Sequence, residues 1–145
     1  MSGFHFHTEV KVRFAETDAQ GVAHNTAYVV WFEVARVDYL AKYAGGYQGI
    51  RDRGIEALVT ETYVRYFEPA RFDDLVRIHA RCSHLKGARF RYEYLIERDD
   101  GTKLAEGWTG HAIVDARTLR PVRMPDWFVD AVATAEAGRP ASSPA

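Results

Sequence analysis

An aspartate in a glycine-containing loop, Asp18, forms the first pattern in this chain that could do chemistry. It precedes Gly21, and a segment that predicts a long helix begins at Thr26. The free N–H groups of a first helical turn can hold a polarised carbonyl oxygen, and the helix dipole favours negative charge there. Gly21 would let the backbone approach a ligand closely. Asp18 could then attack a carbonyl carbon, or deprotonate a water molecule that does so.

The same loop also has a purely structural interpretation. An aspartate before a helix is more often a cap or a turn former than a catalyst. The residue types and their spacing, taken alone, therefore favour the structural role for Asp18.

The elements that must position the loop are a strand before it and a helix after it. Residues 4–14 alternate between apolar and polar side chains, the period of a strand with one buried face. Residues 26–43 contain neither proline nor glycine and predict a helix, which Asn25 or Thr26 can cap and the Gly45-Gly46 pair can end. Apolar residues occupy nearly the whole circumference of this helix, which predicts burial on most of its sides.

The rest of the chain predicts four more strands and a short helix. Asp100-Gly101 is a strong hairpin signal, and short turns between consecutive strands indicate an antiparallel sheet. We therefore expect one α+β domain, residues 1–136, in which a five-stranded antiparallel sheet wraps a long central helix. Residues 137–145 predict a disordered tail because they offer little to bury. The expected strands are residues 57–67, 75–84, 89–98 and 103–115, and the short C-terminal helix is residues 126–136.

Length, charge and cysteine content narrow the possible classes. A chain of 145 residues suits a single domain, and a net charge of -1 gives no reason to expect nucleic-acid binding. The single cysteine, Cys82, excludes an intramolecular disulfide and a cysteine-based zinc site, which fits a cytoplasmic protein. The sequence shows neither a targeting segment nor an apolar stretch long enough to span a membrane.

The segment from Asp18 into the helix resembles the active-site segment of the 4-hydroxybenzoyl-CoA thioesterase family. That family's pattern is Asp, two residues, Gly and a short polar stretch, followed by a helix with Tyr and Phe-Glu-x-Ala-Arg. The branch it resembles most is the acyl-CoA thioesterase branch associated with the Tol-Pal cell-envelope system. The likeness continues through residues 66–74, the Lys86-Gly87 turn and residues 115–121. The matching residues are Asp18, Gly21, His24, Asn25, Tyr28 and Phe32-Glu33-Val34-Ala35-Arg36.

The resemblance implies a hot-dog fold and a thioesterase that hydrolyses acyl-CoA or acyl-carrier-protein thioesters to a free acid and a thiol. Asp18 matches the catalytic aspartate, and the backbone at His24 and Asn25 matches the oxyanion-binding amides. No cofactor is expected, since coenzyme A is part of the substrate. The family also implies homodimers joined through their sheet edges, with active sites at the interface, and often homotetramers. The other expected substrate contacts are Gly21, Val22 and Tyr28, with Lys86 and Arg89 near the coenzyme A phosphates.

Other ionisable side chains have structural explanations. Glu33 and Arg36 lie on an otherwise apolar helix and are expected to pair with each other or across a subunit boundary. His5 and His7 have a spacing that can bind metal, but they lack a third ligand, so no metal site is expected. Two strand residues are expected to serve the fold: His111 as a hydrogen-bonded residue and Cys82 as a small core residue.

Two other functions stay open. A hot-dog hydratase or dehydratase uses an Asp-His or His-Glu pair across a carbon–carbon double bond, and Asp18 with His24 superficially qualifies. The spacing of these two residues differs by one residue from the usual hydratase pattern. A non-catalytic acyl-CoA-binding module is the second alternative, although the retained Asp18 argues against it. The chain has no Gly-x-Ser-x-Gly motif, which argues against a serine hydrolase.

Overall fold

Five strands and three helices make up the fold, and one long helix lies against the sheet. The computed structural model describes residues 3–138. A single turn of 3-10 helix, Phe14–Glu16, precedes the long helix. In chain order the elements are β1 (Phe6–Lys11), α1 (Ala27–Tyr43), α2 (Gly46–Asp52), β2 (Ile55–Tyr66), β3 (Leu75–Lys86), β4 (Arg89–Arg98), β5 (Lys103–Asp115) and α3 (Asp126–Glu136).

The sheet is antiparallel throughout, with the strand order β1-β3-β4-β5-β2. β1 and β2 are therefore its edges. The two central hairpins turn at Gly87 and Gly101, whose φ angles of 62° and 90° are ones that glycine adopts without strain. The expected α+β architecture, with a five-stranded antiparallel sheet around a long helix, is confirmed.

α1 packs one face directly on the sheet. Trp31, Phe32 and Ala35 are buried on this face. The ring of Phe32 stacks on Tyr94 of β4, with centroids 4.0 Å apart and planes 7° from parallel. Gly107 of β5 lies beneath the same ring, so the helix sits close to the sheet at this point.

The other face of α1 is bare in the single chain. The sequence predicts burial on most sides of the helix, but Val30 and Val37 are 51% and 44% exposed. The sheet covers only one side of α1, and no other element of residues 3–138 covers the opposite stripe. Apolar composition around a helix therefore overstates what one copy of this chain can bury.

A short helix, α2, was missed by the sequence pattern. Gly45 and Gly46 end α1 as predicted, and both have positive φ angles of 81° and 83°. The chain then forms α2 at once, although glycine is a poor helix former. Most of the predicted disordered tail, residues 139–145, lies outside the described residues.

The close approach of α1 to β5 generates a stability prediction. A side-chain carbon at Gly107 would overlap the backbone oxygen of Tyr63 and lie 3.0 Å from a ring carbon of Phe32. Gly107→Ala should therefore lower the free energy of unfolding by about 1–3 kcal/mol or more. Gly49→Ala is the matched control, because Gly49 lies in α2 with no atom within 4 Å of the added carbon. Urea unfolding of both variants checks this, and equal midpoints would contradict it.

Candidate active site

The Asp18 loop is a compact turn held by its own main chain. The Asp18 N–H donates to the Val22 carbonyl at 2.9 Å, and the Gly21 N–H donates to the Asp18 carbonyl at 3.0 Å. Gly21 has a φ of 80°, which accounts for a glycine at this position. The Ala23 N–H then donates to the Ala70 carbonyl at 2.7 Å. The loop is thereby fixed to the segment that precedes β3.

The Asp18 side chain serves the turn with one oxygen only. Its Oδ1 accepts the Gln20 N–H at 2.8 Å, which is the structural role that the sequence alone favours. Its Oδ2 has no hydrogen-bond partner among residues 3–138, and the side chain is half-buried. Asp18 therefore keeps one free carboxylate oxygen on a rigid loop.

Of the two backbone N–H groups just before α1, those of His24 and Asn25, one is hydrogen-bonded and the other is not. The His24 N–H donates to the Glu16 carbonyl at 2.6 Å, so this amide is occupied. The Nδ1 atom of His24 accepts the Thr26 N–H at 3.3 Å and lies 2.8 Å from Thr26 Oγ1, so the imidazole holds the residue that directly precedes α1. The Asn25 N–H has no acceptor in the described part of the chain. Of the two predicted oxyanion donors, Asn25 is the one left free.

A glutamate ties this loop to the helix that follows it. Glu16 Oε1 accepts the Arg13 N–H at 2.8 Å, and Glu16 Oε2 accepts the Nε1–H of the buried Trp31 at 2.9 Å. The orientation of the loop relative to the first turns of α1 is therefore set by a hydrogen bond to a residue in the core.

Asp18 lines a cleft of about 360 Å3. Gly21 supports the turn and does not line the cleft. The opposite wall is residues 66–69, which the sequence marked only as part of the resemblance; its Glu68 adds a second carboxylate. The predicted site residues that the structure brings together here are Asp18, Val22, His24, Asn25 and Tyr28.

Two tyrosines brace the cleft. The Tyr66 hydroxyl donates to the Asn25 carbonyl at 2.8 Å, and the Tyr28 hydroxyl accepts the Ala70 N–H at 3.0 Å. Burial raises the pKa of both phenols, so both remain neutral at physiological pH. Tyr28 is buried, and its packing role coexists with its position in the cleft wall.

Lys86 and Arg89 lie at the other end of the sheet. They face each other at the β3–β4 turn, whereas the Asp18 loop sits near the start of β3 and the end of β4. Ten residues of β4 separate the two ends, roughly 30 Å of extended chain. Within one chain, the structure does not bring the predicted phosphate contacts to Asp18.

A second cavity, of about 480 Å3, lies at that far end, between α1 and the start of β2. Exposed residues such as Val37, Leu58 and Val59 surround its mouth, and Glu33 and Arg36 both line it. These two side chains form no ion pair with each other within the described residues, so the intrachain alternative of the predicted pairing is not formed.

A buried polar chain runs from Arg36 into this cavity. Arg36 Nη1 donates to the Tyr94 hydroxyl at 3.2 Å, Tyr94 lies 2.7 Å from Thr109 Oγ1, and Thr109 lies 2.8 Å from His111 Nε2. His111 Nδ1 is buried without a partner in the described chain, so the expectation of a fully hydrogen-bonded His111 is wrong. Cys82, in contrast, is a buried core residue as predicted.

Residues 3–138 contain neither of two kinds of feature, a metal-binding cluster and a helix that could span a membrane. No three of their histidine, cysteine, aspartate and glutamate side chains cluster as a metal site would require. None of the helices in this range combines the length and apolar composition needed to cross a membrane.

Comparison with models of known protein families decides the membership of the chain. The model of the thioesterase-like superfamily matches residues 12–132. This chain belongs to the thioesterase-like superfamily. The match spans the Asp18 loop, α1 and all of β2–β5, so it covers both the cleft and the cavity.

Relatives of this superfamily member agree in sequence and in fold. The acyl-CoA thioesterase YbgC of Haemophilus influenzae is 31% identical over 125 residues, covering 86% of this chain and 90% of that protein. A DHNA-CoA thioesterase from Staphylococcus aureus matches with a TM-score of 0.81 at 31% identity, over 90% of each chain. A thioesterase from Thermus thermophilus, solved with coenzyme A and Zn, matches with a TM-score of 0.81 at 25% identity, over 97% of this chain and 99% of that one. The expected hot-dog fold is confirmed.

The environment of His111 generates a prediction of pH-dependent stability. Burial, and secondarily the charge of Arg36, lower the pKa of His111 to about 3 from its ordinary 6.5. Below pH 6.5 the imidazole takes up a proton in the unfolded chain but not in the folded chain. The free energy of unfolding therefore decreases as the pH is lowered from 6.5 to about 3. The loss due to His111 should reach about 1.4 kcal/mol per pH unit. His111→Phe should therefore give a shallower acid slope in urea unfolding, and parallel slopes would contradict the assignment.

Proposed function

We propose that this protein hydrolyses acyl-CoA thioesters to a free acid and coenzyme A thiol, with Asp18 as the catalytic carboxylate. The single observation that carries the assignment is that Asp18, with its free Oδ2, and Asn25, with its free N–H, line the same cleft at the entrance to α1. Membership of the thioesterase-like superfamily supports it, as does the similar Thermus thermophilus thioesterase that was solved with coenzyme A.

The chemistry follows from the positions of these two groups. The thioester carbonyl oxygen accepts the Asn25 N–H, and the positive end of the α1 dipole stabilises the negative charge that develops on it. Asp18 Oδ2 either removes a proton from the water that attacks the carbonyl carbon, or attacks that carbon itself and forms an anhydride that water then opens. In both routes the carbon–sulfur bond breaks and coenzyme A leaves as a thiolate. No cofactor enters the reaction, since coenzyme A is part of the substrate.

The complete site, on this proposal, needs two copies of the chain. β2 is an edge strand, and its outward row of backbone groups lies beside exposed apolar side chains, Leu58, Val59 and Tyr63 among them. The bare stripe of α1 adds Val30 and Val37 to the same side. An unpaired edge of this kind is a template for pairing with another strand, and a two-fold axis matches the patch to itself.

Antiparallel pairing of two β2 strands would also bring Lys86 and Arg89 of one subunit close to the Asp18 cleft of the other. It sets Tyr66, which holds Asn25, beside the partner subunit's Ile55, because the strand runs from Ile55 to Tyr66. Ile55 lines the 480 Å3 cavity at the Lys86–Arg89 end of the chain. Each Asp18 cleft would then face the cavity and the basic turn of the other subunit. We assign the cavity to the acyl group and the basic turn to the coenzyme A phosphates.

Replacing the catalytic carboxylate should abolish turnover without unfolding the protein. In Asp18→Asn the amide oxygen can still accept the Gln20 N–H, so the turn is kept while the base or nucleophile is lost. We expect kcat to fall at least about 100- to 1000-fold, the scale of losing one catalytic group. Free-thiol release from a panel of acyl-CoAs measures this. The control is Asp130→Asn, which removes an exposed carboxylate on α3 and should leave turnover unchanged.

The same panel discriminates the rival functions. A folded Asp18→Asn protein with near wild-type turnover would contradict the role of Asp18 as the catalytic carboxylate. Loss of the double bond from an enoyl-CoA without thiol release would favour the hydratase. Tight acyl-CoA binding without turnover across the panel would favour the binding module.

Mixing two inactive variants tests the two-subunit site. Asp18→Ala is inactive through its cleft, and the Lys86→Ala/Arg89→Ala double variant through loss of the phosphate contacts. If the two sets belong to opposite subunits, each mixed dimer contains one intact site, so equal refolding of both should restore about a quarter of wild-type sites. If both sets act within one chain, no site is intact and activity stays at the level of the separate variants.

The finer points of the proposal rest on the resemblance. The Tol-Pal-associated branch and the assembly of dimers into a tetramer are both expected from the family resemblance. An acyl-carrier-protein substrate stays an alternative to acyl-CoA, which the same thiol assay with a loaded carrier protein distinguishes. The single, buried Cys82 fits a cytoplasmic protein.

A further inference from the structure

Glu16 is a largely buried carboxylate beside the Asp18 loop, and it takes no part in the proposed reaction. Its side chain is 11% exposed, although it lies only two residues before Asp18. Both carboxylate oxygens accept hydrogen bonds, Oε1 from the Arg13 N–H and Oε2 from the Trp31 indole N–H. The Glu16 carbonyl also accepts the His24 N–H, at 2.6 Å. Glu16 therefore joins the start of the loop, the end of the loop and the buried side of α1.

The contacts of Trp31 extend this network to the opposite wall of the cleft. Its ring is 1% exposed and packs edge-on against Tyr28, with centroids 4.8 Å apart. Tyr28 in turn packs edge-on against Tyr66, with centroids 5.0 Å apart. The Tyr66 hydroxyl donates to the Asn25 carbonyl at 2.8 Å. The network therefore closes on itself, because the residue before Asn25 is the one bonded to the Glu16 carbonyl.

This closed network holds the two groups that the proposed reaction needs. The Asp18 carboxylate follows Glu16 by two residues, and Asn25 lies between the bonds that His24 and Tyr66 make. Within residues 3–138, the network uses neither Asp18 Oδ2 nor the Asn25 N–H. It can therefore fix both groups without blocking either of them.

We propose that Glu16 is a positioning residue for thioester hydrolysis: by holding the loop on α1, it sets the distance between the Asp18 carboxylate and the Asn25 N–H. This inference rests on the proposed function, in which the two groups act on the carbon and the oxygen of one carbonyl. A misplacement of about 1 Å near the reacting atoms can lower a rate about 100-fold. Substrate binding depends less on this distance, since the acyl group and coenzyme A are assigned to the cavity and the basic turn.

A purely structural role is the competing explanation. The Trp31 indole N–H is a buried donor, and loss of its acceptor destabilises the fold whatever the function of the loop. A structural role predicts a lower unfolding midpoint and an unchanged kcat for protein that remains folded. A positioning role predicts a lower kcat in fully folded protein with KM almost unchanged, because the lost interaction matters only in the transition state.

Glu16→Gln changes the hydrogen bonding of this residue with almost no change in its shape. A carboxylate accepts from both the Arg13 N–H and the Trp31 indole, whereas an amide has one acceptor oxygen and turns its NH2 group toward the other donor. We expect kcat to fall about 10- to 100-fold and KM to change less than about threefold. Free-thiol release from hexanoyl-CoA and benzoyl-CoA measures both, at a temperature where circular dichroism shows the variant to be folded.

Tyr39→Phe is the matched control. Tyr39 is also buried on α1, and its hydroxyl donates to a carboxylate, that of Glu136, at 2.5 Å. Glu136 keeps the Cys82 N–H as a partner when this hydroxyl is removed, so again one hydrogen bond is lost. Tyr39 lines neither the cleft nor the cavity. We expect this variant to have a lower unfolding midpoint and a wild-type kcat.

Trp31→Phe breaks the same bond from its other end, and it carries the test if Glu16→Gln does not fold. It should lower kcat about tenfold, because the loop loses its bond to α1. In this background Glu16→Gln should have little further effect, since its NH2 group no longer faces a donor. Independent effects of the two substitutions on kcat would overturn the role of this bond.

Hydrogen exchange reports on the loop without any turnover. The His24 N–H is bonded to the Glu16 carbonyl, and a loop released from α1 should open this bond more often. We expect the His24 amide to exchange at least about tenfold faster in Glu16→Gln, with the amides of β3, β4 and β5 unchanged. Equal exchange at His24 in the variant and the wild type would contradict the hold of Glu16 on the loop.

The outcomes separate this inference from the proposed function. Asp18-dependent hydrolysis with a wild-type kcat in Glu16→Gln overturns the inference and leaves the thioesterase standing. A kcat that falls equally in Tyr39→Phe, or a KM that rises while kcat is unchanged, overturns the inference as well. Faster exchange at His24 in a protein whose wild type hydrolyses no thioester overturns the proposed activity, while the hold of Glu16 on the loop stands.

Discussion

The close packing of α1 on the sheet is the constraint on which the other features depend. Phe32 stacks on Tyr94 directly above Gly107, where a larger side chain has no room. This contact fixes the height of the helix over the sheet. One end of α1 then meets the Asp18 loop, and the other half forms a wall of the cavity. A helix held farther from the sheet would place neither its first-turn amides nor its cavity residues where the proposed reaction needs them.

The Asp18 loop shows that a structural and a chemical role are compatible in one side chain. A carboxylate has two oxygens, and the turn uses only one of them. The turn therefore orients the side chain and leaves its second oxygen free to contact a ligand. The main-chain bonds of Ala23 and His24 stiffen the loop further, so the geometry exists before a ligand arrives.

Local patterns made most of the fold predictable. The alternation along β3, β4 and β5 has the period of a half-buried strand, and Asp100-Gly101 gives the hairpin directly. α2 escaped prediction because seven residues that begin with glycine carry little helical signal. The bare stripe of α1 escaped it because composition reports how apolar a face is and not whether anything covers it.

The site was only partly predictable, for a different reason. Asp18, His24 and Asn25 are neighbours in sequence, so a motif can reveal them. The cavity is assembled from α1, α2, β2, β4, β5 and α3, whose contacting residues are far apart along the chain. The sequence placed His111 in a strand, but strand periodicity says nothing about which partner meets a buried nitrogen. The separation of Lys86 and Arg89 from Asp18 likewise appears only when the strands are laid side by side.

The Asp18 loop shares no main-chain hydrogen bond within the described residues with the cavity residues of β4 and β5, namely Phe90, Tyr92 and His111. The loop is bonded instead to residues 16, 70 and 71. Substitutions at such separate sites have nearly additive effects. On the proposed function, a duplicated copy of this gene can therefore evolve toward a new acyl group through substitutions in the cavity alone. The Asp18 loop is then inherited unchanged, and the descendants differ in substrate while they share one reaction.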